Sequence, residues 1–354
     1  MRWTWGIALG VVGLILMGCG GGAEAPTRAP AGGGAASAAP SSSSGAPPSG
    51  QPLDPVTYAL PSASGLFVPP VLAEEMGFFR EEGLAVTLPV MRPNMLVPAL
   101  VASEADYIAA STTAVRSALA GMPVRVVATM VDKSSRRLMA MPGIQSLDQL
   151  RGQAIAVSTI GDGPYNHATL ALEYLGMDPG EMTWLALGHS AERLTALQQG
   201  QVPASVFSAA EIPRAEAMGL VTLLRLESVA PLPQAGVATS VKKLETDRPQ
   251  IKRMLRATVR ALQYLRTDRA GSVRVFEQFL GLSPEEAEQA YDASVDGYSS
   301  DGTLTERAMR MTIAGEQRQL GRTGDVPISE VADFGPLHEM LTEWGWPIPP
   351  DAVR

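Results

Sequence analysis

Four short runs rich in hydroxyl side chains and glycine stand where apolar, strand-like stretches give way to helix-like ones. They are Pro61-Ser62-Ala63-Ser64-Gly65-Leu66-Phe67, Ser111-Thr112-Thr113, Ser158-Thr159-Ile160-Gly161-Asp162-Gly163-Pro164 and Ser208-Ala209-Ala210-Glu211. Such residues suit non-covalent capture of a small polar solute. Serine and threonine offer short donors and acceptors, glycine lets the backbone approach a ligand, and a helix N-terminus adds unpaired N–H groups. The candidate ligand-binding residues are therefore Ser62, Ser64, Gly65, Phe67, Ser111, Thr112, Thr159, Gly161, Asp162, Gly163, Ser208 and Glu211. Asn166, two residues beyond Pro164, joins them because it can point a side-chain amide from the start of the next helix. Each has a plainer reading. The hydroxyls can cap the helices that follow, Glu211 has the spacing of a capping-box partner for Ser208, and Phe67 can pack at a helix start. Asp162 and Glu211 would repel an oxyanion and accept hydrogen bonds from an amine. No arginine falls inside the four runs, so the bidentate group usual in oxyanion sites is missing from them.

Other chemistries have thin support. The three histidines, His167, His189 and His338, lack metal-ligand spacing. Gly161-x-Gly163 lacks the third glycine and the lysine of a phosphate loop. We expect no metal, no cofactor and no catalytic residue. The formal net charge of −8 disfavours nucleic acid, whose binding rests on neutralised phosphates. The most basic run, Lys252-Arg253 with Arg256 and Arg260, lies opposite Ile251, Met254, Leu255, Val259, Leu262 and Leu265 at helical spacing, and reads as the solvated back of a packed helix.

The elements that would position these loops form a repeated series. Val56–Leu60, Val86–Met91 and Tyr107–Ala110 read as strands separated by helices at Phe67–Phe79 and Met95–Ser103. Strands at Ala154–Val157, Thr183–Leu187 and Ala204–Phe207 alternate with helices at Pro164–Leu175 and Ala191–Gln199. One offset of 97 residues superposes the two series, placing Ala59 on Ala156 and Ser111 on Ser208. Two βαβαβ units predict an α/β protein with two lobes, each a mainly parallel sheet flanked by helices. Five helical stretches follow, near 247–266, 270–280, 284–294, 303–320 and 336–344, and should pack back on the first lobe. The expected divisions are 54–141 for the first part of lobe 1, 142–236 for lobe 2 and 237–354 for the completion of lobe 1, with crossings near 142 and 237.

Residues 1–18 begin with Arg2 and then run uncharged and apolar, as a secretion signal does. The run is too short for a stable membrane span, which needs roughly 20 apolar residues. Leu16-Met17-Gly18-Cys19 resembles the lipobox of bacterial lipoproteins, with Met17 an uncommon residue in it. The resemblance implies cleavage before Cys19 and lipidation of its sulfur; the plainer reading is a free or buried thiol. Residues 20–52 are almost wholly Gly, Ala, Ser and Pro, the composition of a flexible spacer, so 19–53 should tether a body outside the cytoplasmic membrane. Removal of residues 1–18 takes away Arg2 alone among charged residues, so −8 becomes −9.

Leu72-Ala73-Glu74-Glu75-Met76-Gly77-Phe78-Phe79-Arg80-Glu81-Glu82-Gly83-Leu84 resembles the start of type II periplasmic solute-binding proteins of the nitrate/sulfonate/taurine branch, which also holds binders of thiamine's pyrimidine precursor. Ser146–Val157 is similar to that family's entry into the second lobe. Ala99–Tyr107 and Ala196–Ala204 look like its "AL..G..DA" segment, with Pro203 in place of the usual Asp. The resemblance covers about residues 55–345. It implies a two-lobed type II fold and an ABC-transporter substrate-binding protein: a monomeric, extracytoplasmic, lipid-anchored protein that passes a small solute to permease subunits. The solute would be a sulfonate-like anion or an aminopyrimidine-like heterocycle. Two other readings stay open: an enzyme on the same fold, a pyrimidine synthase or chorismate-type dehydratase, and a solute-sensing lipoprotein without transport.

Overall fold

The computed structural model describes residues 52–161, 163–208, 211–229 and 231–354. The expected signal segment (1–18), Cys19, nearly all of the expected tether (19–53) and Asp162 lie outside the described residues. The strands in chain order are β1 (Asp54–Ala59), β2 (Leu84–Thr87), β3 (Tyr107–Ile108), β4 (Val124–Lys133), β5 (Arg137–Ala140), β6 (Ala154–Val157), β7 (Thr183–Ala186), β8 (Ala204–Phe207), β9 (Val221–Arg225) and β10 (Pro231–Ser240). The helices begin with α1 (Val68–Glu75), α2 (Phe78–Glu81), α3 (Pro93–Val101), α4 (Ser111–Leu119), α5 (Gly163–Tyr174), α6 (Ser190–Gln198) and α7 (Ile212–Ala217). They continue with α8 (Val241–Thr246), α9 (Arg248–Thr267), α10 (Arg269–Leu280), α11 (Pro284–Ser294), α12 (Glu306–Gln319) and α13 (Gly335–Glu343).

Two five-stranded sheets share one plan. The first has the order β2-β1-β3-β10-β4 and the second β7-β6-β8-β5-β9. In each, the fourth strand of that order runs against both neighbours while the others run parallel. β3 and β8 begin 97 residues apart, at Tyr107 and Ala204, matching the expected repeat. Side-chain alternation along β6 splits the second lobe's core. Ile155 and Val157 face a cluster with Ala168, Ala171 and Leu172 of α5, whereas Ala156 faces Leu194 and Leu197 of α6.

Several local expectations are corrected. The helix expected over Phe67–Phe79 is broken by Gly77, whose φ of +74° suits glycine and ends α1. β4, β5, β9 and β10 went unread, because nearly continuous apolar runs such as Val124–Val131 carry no period. The basic face of α9 is not simply solvated. Arg256 Nε lies 2.7 Å from Glu82 Oε2, Arg260 Nη2 lies 2.5 Å from Glu81 Oε2, and Arg253 bonds Asp54. Its other face, with Ile251, Met254, Leu255, Val259, Leu262 and Leu265, is wholly buried.

The unread strands decide where the lobes join. Lys133, the end of β4, is followed after three residues by Arg137, which pairs with Phe207 at the carboxyl end of β8. The return runs from Arg225, also paired with Arg137, to Pro231, paired with Lys133. Both crossings thus join the carboxyl edges of the two sheets, and they lie before the residues near 142 and 237 expected for them. Four Cα steps from Lys133 to Arg137 allow at most ~15 Å. The two carboxyl edges therefore face each other across a narrow gap.

A polar cluster ties the crossings to the second lobe. His167 Nδ1 on α5 lies 2.9 Å from Ser134 Oγ and 2.9 Å from Arg136 Nη1. Arg136 also donates to Gln234 Oε1 on β10, and Gln234 Nε2 donates to the Lys133 carbonyl at 2.8 Å. Burial first, and the Arg136 charge second, push the His167 pKa well below its ordinary value. The folded state therefore binds fewer protons here than the unfolded chain, whose histidine titrates near pH ~6.5. Its contribution to stability is full above that pH and falls as the pH drops below it, by at most ~1.4 kcal/mol per unit. Urea unfolding from pH 7.5 to 5 should show this decline, and His167→Asn should flatten it; an equal slope in the variant would contradict the assignment.

Candidate ligand-binding site

The carboxyl edge of the first sheet carries unfinished polar chemistry. Ser111 opens α4 and is 3% exposed, and its Oγ has no hydrogen-bond partner. Ala110, not Ser111, occupies the cap position, so the capping alternative is not realised there. Thr129 on β4 is fully buried, and its Oγ1 is likewise unpartnered. The two residues flank one point. A Cβ built on Gly236 of β10 would stand 3.2 Å from Ser111 Cβ and 3.3 Å from Thr129 Cα. It would also stand 2.4 Å from the Ala128 carbonyl oxygen, so only glycine keeps β10 this close to β4. A buried hydroxyl without a partner costs roughly 1–3 kcal/mol, which a bound solute can remove.

The first loop divides between solvent and core. Ser62 is exposed; Ser64 is half-buried and makes no side-chain cap bond. The Gly65 carbonyl accepts from the Tyr298 hydroxyl, and a Cβ there would lie 3.3 Å from Ser294 Oγ, so Gly65 serves packing. Phe67, only 6% exposed, belongs to the hydrophobic core and offers no face for stacking. Thr112 is half-buried.

In the second lobe, Thr159 and Gly161 are exposed and Gly163 begins α5. Gly161, with φ +85°, turns the chain into the helix. Its carbonyl accepts from Asn166 Nδ2 at 3.0 Å and from Gln319 Nε2 of α12 at 3.3 Å. Asn166 therefore uses on its own turn the side-chain amide that the sequence offers to a ligand. A cavity of about 320 Å³ lies between α5 and α12, lined by Gly161, Tyr165, Asn166, Arg318 and Gln319 among others. It gathers Gly161 and Asn166 but not Ser62, Ser111, Thr159 or Ser208.

Glu211 is a bonded group. One carboxylate oxygen accepts from the Ser208 N–H at 2.7 Å and from its hydroxyl at 2.8 Å, while the other lies 2.7 Å from Arg193 Nη2. The cap-like bonding to Ser208 is present, and Arg193 neutralises the charge expected to repel an oxyanion. Arg193 is 2% exposed and sits 5.4 Å from the Phe207 ring centre. Sequence reading missed Arg193, Thr129 and Gly236. Arg193 had a signal, since it shares a helical face with buried Ala196 and Leu197 at the i+3 and i+4 positions. Thr129 and Gly236 had none, lying on strands that were not read.

Among the described residues no cluster of His, Cys, Asp and Glu could hold a metal, and no helix is long and apolar enough to cross a membrane. Breaking the buried pair by Arg193→Ala leaves Glu211 without its cation and should cost about 2–4 kcal/mol in chemical unfolding. A loss below about 0.5 kcal/mol, the level of an exposed pair, would contradict this reading of the pair.

No curated protein matches the chain in sequence. Among solved structures, a putative sulfonate ABC transporter periplasmic sulfonate-binding protein from Methylobacillus flagellatus KT aligns with a TM-score of 0.68 at 13% identity, covering 85% of this chain and 99% of that one. The periplasmic aliphatic sulphonate binding protein of Escherichia coli gives 0.62 at 15% identity, over 79% and 92%. The desulfurization enzyme DSZB gives 0.56 at 14% identity, over 82% and 99%. At these identities the likeness is one of fold, and it is the two-lobed periplasmic binding protein fold. Residues 66–270, more than half of the sequence, match the family described as NMT1/THI5 like, and the chain belongs to that family.

Proposed function

We propose that this protein is an extracytoplasmic solute-binding lipoprotein. It captures a small polar solute between its two lobes and delivers it to an ABC importer, held at the membrane by lipid on Cys19. The observation that carries the reading is the pair of buried, unpartnered hydroxyls of Ser111 and Thr129 at the carboxyl edge of the first sheet. Ligands of open α/β sheets bind beyond that edge, and both crossings hold it opposite its counterpart in the second lobe. Domain closure around a ligand is the usual working motion of periplasmic binding proteins. Sulfonate-binding proteins share the fold, and a sulfonate-like anion or aminopyrimidine-like heterocycle suits a cleft lined by hydroxyls.

DSZB shows that the same fold can carry an enzyme. Binding is the better reading here because Ser111 Oγ has no base within hydrogen-bond distance to activate it. The full-length chain, purified in detergent, should be screened by thermal unfolding with taurine, alkanesulfonates, nitrate and hydroxymethylpyrimidine compounds. A ligand at 100 times its dissociation constant adds ~2.7 kcal/mol and raises Tm by several degrees. No shift from any solute would contradict the reading. Cys19→Ser should move the protein from the membrane to the soluble fraction, and retention at the membrane would contradict lipid anchoring.

A further inference from the structure

The same edge of the first sheet carries one more unsatisfied atom, and it belongs to a carboxyl group. Asp132 lies one residue before the end of β4, beside the first crossing. Its Oδ1 is buried without a hydrogen-bond partner, the one carboxylate oxygen in that state among the described residues. Other carboxylates near the lobe edges are engaged. Glu211 is held by Arg193 and Ser208, Glu316 by Arg116, and Glu173 by Arg318 at 2.5 Å.

The groups around Asp132 do not complete it. Arg266 donates to the Tyr298 carbonyl. Asp301 Oδ1 accepts from the Thr303 N–H at 2.9 Å and from its hydroxyl at 2.7 Å. Lys133 follows on the opposite pleat of the strand. Val131, its neighbour on the strand, pairs with Tyr298, whose hydroxyl donates to the Gly65 carbonyl; Asp132 itself stands at the carboxyl end of β4, next to the first crossing. Burial, with a smaller push from the Asp301 charge, raises its pKa, while Lys133, a backbone hydrogen bond from its own N–H and Arg266 act against that rise. Asp132 is half-buried, and its Oδ1 is the atom left without a donor; a charge-assisted N–H bond is the strongest that could complete it.

We propose that Asp132 is a specificity-determining residue and that it takes a nitrogen donor, a protonated amine or an amino group on a heterocycle, while the Ser111 and Thr129 hydroxyls engage the rest of the solute. This rests on the solute-binding reading above and narrows it: a solute with only anionic and acceptor groups meets the wrong charge at Asp132.

Matched probes test it directly. Taurine and isethionate carry the same sulfonate and differ in amine against hydroxyl; 4-aminopyrimidine and pyrimidine differ in one amino group. Calorimetry on the full-length protein should show the amine-bearing member of at least one pair binding 10-fold or more tightly. Asp132→Asn should erase that preference with the ligand-free Tm within a few degrees of wild type, and Asp132→Glu, which keeps the charge, should retain it. Equal affinities within both pairs would overturn the proposal, as would a preference that survives in Asp132→Asn. Should alkanesulfonates or nitrate bind while no amine-bearing probe does, the proposal falls and the solute-binding reading stands. Should nothing bind wild type, both fall.

Discussion

Everything functional in this molecule depends on where the chain crosses between its sheets. β4 leaves the first sheet at its carboxyl edge and enters the second beside the carboxyl end of β8, and β9 and β10 reverse the path. Parallel βαβ units put their loops and helix N-termini at that edge. Two edges joined by spans of a few residues therefore confront each other, and on the proposed reading hydroxyl-rich loops that would be scattered caps on separate sheets would form two walls of one cleft. β10 lies between β3 and β4, so the return crossing is built into the middle of the first sheet and not appended to its rim.

The cleft walls are unequal. The first lobe presents polar atoms left unsatisfied by the protein, at Ser111, Thr129 and Asp132. The second presents groups that satisfy one another, Glu211 with Ser208 and Arg193, and Asn166 with Gly161. Unpaired buried groups lose free energy until a ligand arrives, whereas paired ones hold shape. On the solute-binding reading proposed above, the first lobe would supply recognition and the second a face to close upon the solute. Contacts between α12 and the second lobe, Gln319 to Gly161 and Arg318 to Glu173, bring the lobes together beside the cleft as well as through the crossings.

The division of sequence from structure follows the physics of the signals. Amphipathic elements with caps were legible. The α9 stripe from Ile251 to Leu265, the Ser283–Glu286 capping box and the repeat linking Tyr107 with Ala204 all appear in the structure. Elements whose side chains are buried on both faces were not, since β4 and β10 show no period that separates strand from buried helix. The candidate site suffered accordingly. Ser111 was legible because a helix start follows it, but Thr129, Asp132 and Gly236 lie on those unread strands. For Phe67 and Asn166, sequence shows that a residue stands near an edge and not which way it turns. The core claims the first, and the Gly161 carbonyl claims the second.

The central claim is that a solute draws the two carboxyl edges together. Cys19 is the only cysteine, so a Cys19→Ser background allows spin labels at Met95→Cys on α3 and Ile160→Cys at the mouth of the second lobe, both 49% exposed. Pulsed electron resonance would give the distance between them with and without a solute that raises Tm. Capture between the lobes predicts a shortening of several ångströms when that solute binds. An unchanged distance with the solute demonstrably bound would contradict the account.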